Sequence, residues 1–353
     1  MKFATIPDGT RDGRVVMVSR DTRRSRPLDP LAHTLQQVLD DWRHLEARLQ
    51  AIYADFDEHE SSADSSFDPR ATLAPLPRAF HWVDGSAYVP HIELVRRARG
   101  AAMPPEFWTE PIVYQGGSDD LIGPFADVPF VSVEHGIDFE AELGVIVTDV
   151  PLGTSAASAG DNIKLLTLLN DWSLRALIPQ ELAKGFGFYQ SKPATGFGGI
   201  VVTPDELGSA WDGKRATGAV EIHRSGIPFG CPMAGIDMTF DFTTLIAHVA
   251  RTRRLGAGTI VGAGTITNRD ETRGSACIAE RRAREIISLG SATTPYLGFG
   301  ETVRIEMFDA QRRSIFGPIE QRVISADPLN LQYVVPSTTQ GSDGGALSSR
   351  DPA

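Results

Sequence analysis

The chain has 353 residues, 41% of them hydrophobic, which is enough for one large domain with a smaller appendage. Its formal net charge of −11 argues against a general nucleic-acid surface and against adhesion to anionic membranes. The two cysteines, Cys231 and Cys277, predict neither a zinc site nor a disulfide framework. Because signal-peptide and membrane-span patterns are missing, we expect a soluble cytoplasmic protein that acts on a small molecule.

The first 70 residues predict a small N-terminal domain. A Pro-Asp-Gly-Thr-Arg-Asp-Gly turn cluster between two apolar runs indicates a hairpin. From Leu31 to Phe56 the apolar residues recur at three- and four-residue steps, which predicts one long amphipathic helix. The acidic, serine-rich segment 57–70 is typical of a linker, so we place a domain boundary near residue 70.

Residues 71–335 predict an all-β or mixed β-rich domain. Short apolar runs with glycine and proline between them indicate strands: FVSVE, LGVIVTDV, GGIVVT, AVEIH, TIVGAGTI and VRIEMF. Helical patterns interrupt them at His91 to Arg99, Ser173 to Leu182 and Phe240 to Leu255. The composition of residues 336–353 is typical of a disordered tail.

The alternation of apolar and acidic residues from Ile137 to Val145 predicts a half-buried strand with Glu140 and Glu142 on one face. Residues two apart in a strand lie roughly 6.5 to 7 Å apart, so both side chains can reach one cation. Carboxylate ligands favour Mg²⁺, Mn²⁺ or Ca²⁺ over Zn²⁺. The alternative interpretation is an acidic strand face exposed to solvent.

Two glutamates do not fill the coordination shell of such a cation, so further carboxylates are expected. Asp171, at the end of the apolar run LLTLLN, and Asp84, in the segment HWVDGSAYVPH, are the candidates. Each has an alternative structural role: Asp171 as a helix N-cap, and Asp84 as part of an Asp-Gly turn.

These residues occur in a longer ordered pattern that resembles the fumarylacetoacetate hydrolase family. The resemblance covers about residues 75 to 325, and the N-terminal region is similar to the small leading domain of longer family members. The motifs are Asp84 with His91 seven residues later, Tyr114-Gln115-Gly116-Gly117, Glu140-x-Glu142, Asn170-Asp171-Trp172-Ser173-x-Arg175, Lys192, Gly264-Thr265-Ile266 and Glu280.

The resemblance implies a fumarylacetoacetate-hydrolase-like β-roll catalytic domain behind a small α+β domain, usually as a homodimer. It implies a divalent metal, Mg²⁺ or else Mn²⁺ or Ca²⁺, held by Asp84, Glu140, Glu142 and Asp171. It also implies that His91 activates water and that Glu280 orients it. This pairing is chemically sound, because a histidine base needs a partner on its second nitrogen to fix its tautomer.

The resemblance also implies residues that bind substrate oxygens: Lys192, Tyr114, Arg175 and Thr265. The chain has only five lysines against twenty-nine arginines, and Lys184 is the alternative to Lys192. Arg175 could instead form a structural ion pair with Glu181 or Asp171, and Thr265 could belong to an ordinary β-turn.

The expected reaction is hydrolysis of a C–C bond in a 1,3-diketo acid, such as fumarylacetoacetate or an acylpyruvate, with the departing carbon stabilised as an enolate. Two departures from the family pattern affect carboxylate recognition, since Ile178 replaces a glutamine and Gly100 replaces an arginine. The alternatives are a 2-oxo acid hydratase, isomerase or decarboxylase, and a non-catalytic ligand-binding protein.

Overall fold

The computed structural model describes residues 1–326, so the predicted tail at 336–353 lies outside the described part. Nineteen strands are present in these residues: β1 Lys2–Ile6, β2 Arg14–Val18, β3 Arg24–Pro27, β4 Ser65–Ser66, β5 Trp82–Gly85, β6 Val113–Gly116, β7 Asp127–Phe130, β8 Ile137–Asp138, β9 Ala141–Val147, β10 Ile163–Asn170, β11 Ser173–Leu174, β12 Gly196–Phe197, β13 Ile200–Val202, β14 Gly218–Arg224, β15 Ile227–Gly230, β16 Met233–Ala234, β17 Thr259–Gly262, β18 Thr302–Phe308 and β19 Ile319–Ser325. Seven α-helices accompany them: α1 Leu35–Asp40, α2 Trp42–Glu58, α3 Val89–Ala98, α4 Ala156–Ala159, α5 Ile178–Ala183, α6 Phe242–Val249 and α7 Ile278–Leu289.

One large sheet runs through the described chain in the order β4-β3-β2-β1-β13-β10-β9-β17-β5-β6, with β12 beside β10. The predicted N-terminal hairpin is its β1–β2 pair, and β1 continues the sheet by pairing antiparallel with β13, Phe3 opposite Val201. The N-terminal region therefore shares backbone hydrogen bonds with the body. The domain division near residue 70 stays a prediction.

Two smaller sheets complete the fold, and together the three confirm the predicted mixed β-rich architecture. One has the order β15-β14-β18-β19-β7 with β16 beside β14, and the other pairs β11 with β8. The large sheet is covered on both faces: Val145, Leu166 and Val202 belong to one core cluster, whereas their neighbours Ile146, Leu165 and Val201 belong to another. Burial on both faces explains the near-continuous apolar runs of β9, β10 and β13.

The predicted single N-terminal helix is two helices, α1 and α2. Asp41 breaks the helical backbone with φ −114° and ψ 20°, and α2 starts at the next residue. The apolar spacing does not reveal the break, because Leu39 and Trp42 are buried on either side of it at a helical three-residue interval.

Other predicted elements are shorter than their sequence patterns. Ser173 and Leu174 form β11 rather than the start of a helix, and α5 begins only at Ile178, where Pro179 occupies its first turn. The FVSVE strand is limited to Phe130 at the end of β7; Val133–His135 is a 3₁₀ turn. No helix among residues 1–326 is long and apolar enough to cross a membrane.

Candidate functional site

Three buried carboxylates meet where the ends of several strands of the large sheet converge. Asp84 lies in β5, Glu142 in β9 and Asp171 directly after β10, and one oxygen of each lies within 4.8 Å of the others. Strand β17 separates β9 from β5, and its Gly262 allows the approach, since a Cβ there would lie 2.3 Å from Oδ1 of Asp84. The alternatives of an Asp-Gly turn for Asp84 and a helix N-cap for Asp171 do not describe these positions.

Glu142 is buried in the carboxylate cluster, and no N–H donor or cation of residues 1–326 contacts its oxygens. Its relative exposure is 0%, and neither carboxylate oxygen accepts a hydrogen bond from any group of residues 1–326. Burial, reinforced by the like charges of Asp84 and Asp171, raises the pKa of Glu142 well above its usual value. Burial and Asp171 likewise raise the pKa of Asp84 to about 8. A buried carboxylate in this position requires a proton or a cation.

Glu140 has the opposite environment although it lies only two residues away. Its Oε1 accepts a hydrogen bond from Arg175 at 2.6 Å, and its Oε2 accepts one from Lys192 at 2.6 Å. Burial alone would raise its pKa, but the charges of Arg175 and Lys192 outweigh burial and lower the pKa below its usual range. The alternative interpretation, an acidic strand face exposed to solvent, is wrong, because Glu140 and Glu142 are both buried.

The strand that was predicted to carry both glutamates is interrupted at Phe139 and Glu140, so that of the two glutamates Glu142 alone lies in a strand. β8 ends at Asp138 and pairs with β11, whereas β9 starts at Ala141 and pairs with β10 and β17. At the break the backbone N–H of Glu140 donates to Asn170 Oδ1 at 3.2 Å. The chain thus passes from the two-stranded sheet to the large sheet at Phe139 and Glu140.

Lys192 and Tyr114 both donate hydrogen bonds to the carboxylate of Asp171. The Lys192 ammonium contacts Asp171, Glu140 and the hydroxyl of Ser173, which uses all three of its donors. Tyr114 donates its hydroxyl to Asp171 Oδ2 at 2.7 Å. The structure therefore brings Lys192 into the cluster, whereas Lys184 is exposed at the end of α5.

Glu181, which the sequence suggests only as a possible partner of Arg175, anchors the loop that carries Lys192. Its carboxylate accepts the backbone N–H groups of Tyr189, Gln190 and Ser191 and the hydroxyl of Ser191. Burial opposes ionisation of Glu181, but these hydrogen bonds outweigh it and lower its pKa. A glutamate near Gly185 and Gly187 is the only sequence signal, and it does not distinguish an anchor from a surface charge.

Asp138 is a second residue whose role the sequence did not predict. It is fully buried; its oxygens accept the backbone N–H groups of Ile278 and Ala279 at the start of α7, and its Oδ2 accepts Nε of Arg175 at 2.8 Å. A carboxylate at a helix N-terminus is favourable, because free N–H groups and the helix dipole face it. Arg175 thus forms a structural ion pair, with Asp138 and Glu140 rather than Glu181 or Asp171.

His91 lies at the N-terminal end of α3, next to Thr267. Its Nδ1 is 3.3 Å from the Thr267 hydroxyl, which lies 3.5 Å from Oε2 of Glu280. Glu280 itself is buried and accepts Arg284 at 2.7 Å and the backbone N–H of Ala276 at 3.1 Å. Desolvation lowers the pKa of His91 to about 4, so the imidazole is neutral at pH 7. Glu280 therefore reaches His91 through a threonine hydroxyl.

A third group near His91 and Glu280 is the thiol of Cys277, within 4.8 Å of both. Burial raises the pKa of Cys277 well above 9, and its sulfur accepts the backbone N–H of Glu280 at 3.3 Å as the N-cap of α7. The thiol therefore caps the start of α7.

A cavity of about 160 Å³ opens in front of these groups. Eight of the ten predicted site residues line it: Asp84, His91, Tyr114, Glu140, Glu142, Arg175, Lys192 and Thr265. The other two touch lining residues, Asp171 through Tyr114 and Lys192, and Glu280 through Thr267. Ile92, Ile178 and Phe188 supply an apolar part of the wall.

The donor set fits a hard divalent cation. Asp84, Glu140, Glu142 and Asp171 carry four formal negative charges, and Lys192 and Arg175 carry two positive ones, so two negative charges remain. Asp138 is a fifth buried carboxylate, which shares Arg175 with Glu140 and also accepts two N–H groups at the start of α7. A cation with two charges would balance the two negative charges left on the other four carboxylates and would lie beside Glu142.

Comparison with known protein families identifies the family of this chain. The family model described as fumarylacetoacetate (FAA) hydrolase C-terminal matches residues 81–324, and the model fumarylacetoacetase N-terminal domain 2 matches residues 1–78. The chain belongs to the fumarylacetoacetate hydrolase family. No curated protein matched this chain.

Solved structures of the fumarylacetoacetate hydrolase family share the fold at low sequence identity. A fumarylacetoacetate hydrolase from psychrophilic Exiguobacterium antarcticum is 18% identical with a TM-score of 0.61, covering 92% of this chain and 100% of that one. Maleylpyruvate hydrolase from Sphingobium sp. SYK-6, in complex with manganese(II) and pyruvate, is 16% identical with a TM-score of 0.61, covering 93% and 100%. A 2-hydroxyhepta-2,4-diene-1,7-dioate isomerase from Mycobacterium marinum is 16% identical with a TM-score of 0.56, covering 92% and 98%.

Proposed function

We propose that this chain is a divalent-metal-dependent hydrolase that cleaves a C–C bond in a 1,3-diketo acid of the acylpyruvate or fumarylacetoacetate type. The observation that carries the proposal is the Glu142 carboxylate, which receives no hydrogen bond from residues 1–326 and lies beside Asp84 and Asp171 in one cavity with His91 and Lys192. The maleylpyruvate hydrolase with the same fold supports it, because that structure holds manganese and pyruvate.

Asp84, Glu142 and Asp171, with Glu140 beside them, would hold the cation, for which we propose Mg²⁺, with Mn²⁺ or Ca²⁺ as substitutes. When bound, the cation would polarise the carbonyl oxygens of the substrate and stabilise the negative charge that develops on them. Lys192 adds a fixed positive charge at the same wall of the cavity.

His91 is the proposed base that activates water. If its Nδ1–H donates to Thr267 and the Thr267 hydroxyl donates to Glu280, Nε2 is left free to accept a proton from water. The water oxygen then bonds to the acyl carbonyl carbon, and the bond between that carbon and the central methylene breaks. Its electron pair passes to the methylene as the enolate of pyruvate, which takes the proton from His91.

The test uses the full chain with Mg²⁺ or Mn²⁺ and acetylpyruvate as substrate, with products identified by NMR. We expect pyruvate and acetate in equal amounts. The variant His91→Ala should lose about 10²- to 10⁴-fold in turnover, whereas the matched control His44→Ala, an exposed histidine of α2, should keep it. Unchanged turnover in His91→Ala would exclude His91 as the base.

An isomerase, hydratase or decarboxylase of 2-oxo acids is the second candidate. The isomerase with the same fold favours it, and so does the indirect contact between His91 and Glu280. Release of CO₂, or a rearranged product without acetate, would assign one of these activities. We also propose a homodimer and a cytoplasmic location, which sedimentation and fractionation experiments can test.

A further inference from the structure

The cavity is lined by charged, polar and apolar side chains. The carboxylate cluster and Lys192 supply the charge, Ser86, Tyr88 and Thr265 are polar, and Ile92 of α3, Ile178 of α5 and Phe188 of the following loop form the apolar wall. Ile178 is 8% exposed, and the Phe188 ring packs edge-on against Tyr114 with centroids 5.5 Å apart. A substrate whose 2-oxo acid end lies at the carboxylate cluster would place its other end against this apolar wall.

Both positively charged side chains that line this cavity form ion pairs with carboxylates. Among the lining residues within 1–326, the two with permanent positive charge are Arg175, bound to Asp138 and Glu140, and Lys192, bound to Glu140 and Asp171. His91 is neutral. With a divalent cation Asp84, Glu140, Glu142, Asp171, Lys192 and Arg175 would sum to no net charge, and Asp138 beside Arg175 adds one negative charge. Each carboxylate of a substrate therefore adds a negative charge that no side chain of the cavity balances.

We infer that the substrate is an acylpyruvate whose acyl group is uncharged and apolar, rather than a diketo acid with a carboxylate at both ends. This inference rests on the proposed function for the orientation of the substrate. Ile92, Ile178 and Phe188 act as the specificity-determining residues, because they contact the acyl group and offer it no hydrogen-bond donor.

Binding can be measured without turnover by using two stable 2-oxo acids of six carbons each. Isothermal titration calorimetry of the Mn²⁺-loaded full chain with 2-oxohexanoate and with 2-oxoadipate compares an apolar end with a carboxylate end. We expect 2-oxohexanoate to bind about 10- to 100-fold more tightly, the range for a buried polar group left unpaired. Equal or tighter binding of 2-oxoadipate overturns the inference, and so does failure of both to bind.

Substitution at position 178 tests the wall itself. In Ile178→Arg the preference should shift toward 2-oxoadipate by about 10-fold or more, whereas the uncharged control Ile178→Met should keep the wild-type order. If Ile178→Arg lacks a cooperative melt, the comparison of the two acids on the wild-type chain decides alone. Failure of acetylpyruvate hydrolysis would remove the proposed function but leave this measured preference intact, so the two failures are distinguishable.

Discussion

Glu142→Gln tests the metal site through stability rather than catalysis. In the metal-free chain Glu142 is a buried carboxylate without a hydrogen-bond partner among residues 1–326, next to Asp84 and Asp171. The amide of glutamine has nearly the same shape, carries no charge and can donate to Asp84. We therefore expect Glu142→Gln to stabilise the metal-free protein by about 1–3 kcal/mol, the cost of an unsatisfied buried group.

This free energy can be converted to a melting temperature. An unfolding entropy of about 2.1 cal/mol/K per residue, over the 326 described residues, gives roughly 0.7 kcal/mol per degree. The melting temperature of metal-free Glu142→Gln should therefore rise by about 1 to 4 °C. Wild type at 100 times its Kd for Mg²⁺ or Mn²⁺ should gain about 2.7 kcal/mol, or about 4 °C, and the variant should lose this gain.

Differential scanning calorimetry with EDTA, and with Mg²⁺ or Mn²⁺ in excess, measures both effects. Glu140→Gln is the matched control, because it removes a charge from the same cavity but breaks the ion pairs with Arg175 and Lys192. It should destabilise the metal-free protein by about 3–5 kcal/mol, or roughly 4 to 7 °C. If Glu142→Gln lowers the metal-free melting temperature, or keeps the full metal-induced gain, the assignment of Glu142 as a metal ligand is refuted.

Three further predictions concern carboxylates that accept backbone N–H groups. Glu181→Ala should free the loop 185–191, increase its proteolysis and lower kcat, while the metal-induced rise in melting temperature persists, because Glu181 holds three backbone N–H groups of that loop. Asp138→Asn should cost about 3–5 kcal/mol in urea unfolding, since Arg175 then lacks one of its two buried partners. Glu285 accepts the backbone N–H groups of Thr293 and Thr294, and although burial opposes ionisation, these bonds and the Thr294 hydroxyl lower its pKa to about 2. A depressed folded-state pKa stabilises above the unfolded value of about 4.5, so Glu285→Gln should be about 1–2 kcal/mol less stable than wild type at pH 6. That gap should narrow as the pH falls from about 4.5 toward 2; a constant gap would contradict the assignment.

Sequence patterns predicted the buried strands well and the polar connections poorly. The apolar runs of β9 and β10 are readable because side chains of both faces enter a core. The strand break at Phe139 and Glu140 has no such signal, because the alternation continues through it unchanged. What breaks the strand is pairing with two different sheets, and that depends on β10 and β11, some thirty residues later in the chain.

In the candidate site, too, the spacing of residues along the chain predicts some features, whereas others depend on contacts that the fold creates. Glu140 and Glu142 could be recognised from their spacing, but the spacing treats them as equivalent ligands. The two glutamates differ because Arg175 and Lys192 both bind Glu140. The Glu142 oxygens accept no hydrogen bond from residues 1–326. The roles of Asp138 and Glu181 as anchors likewise arise from backbone N–H groups that a sequence does not display.

The difference in hydrogen-bond partners between Glu140 and Glu142 has a functional reason. If both carboxylates lacked partners, the metal-free chain would bury several like charges and would be difficult to fold. If both were paired with cations, the cluster would be neutral and would attract a divalent ion only weakly. Pairing Glu140 with Arg175 and Lys192 places part of the cluster in a fixed geometry before any ion binds, while Glu142 keeps a free carboxylate for it. Thus Lys192 both stabilises the metal-free cavity and brings a positive charge next to the position where substrate oxygens would bind.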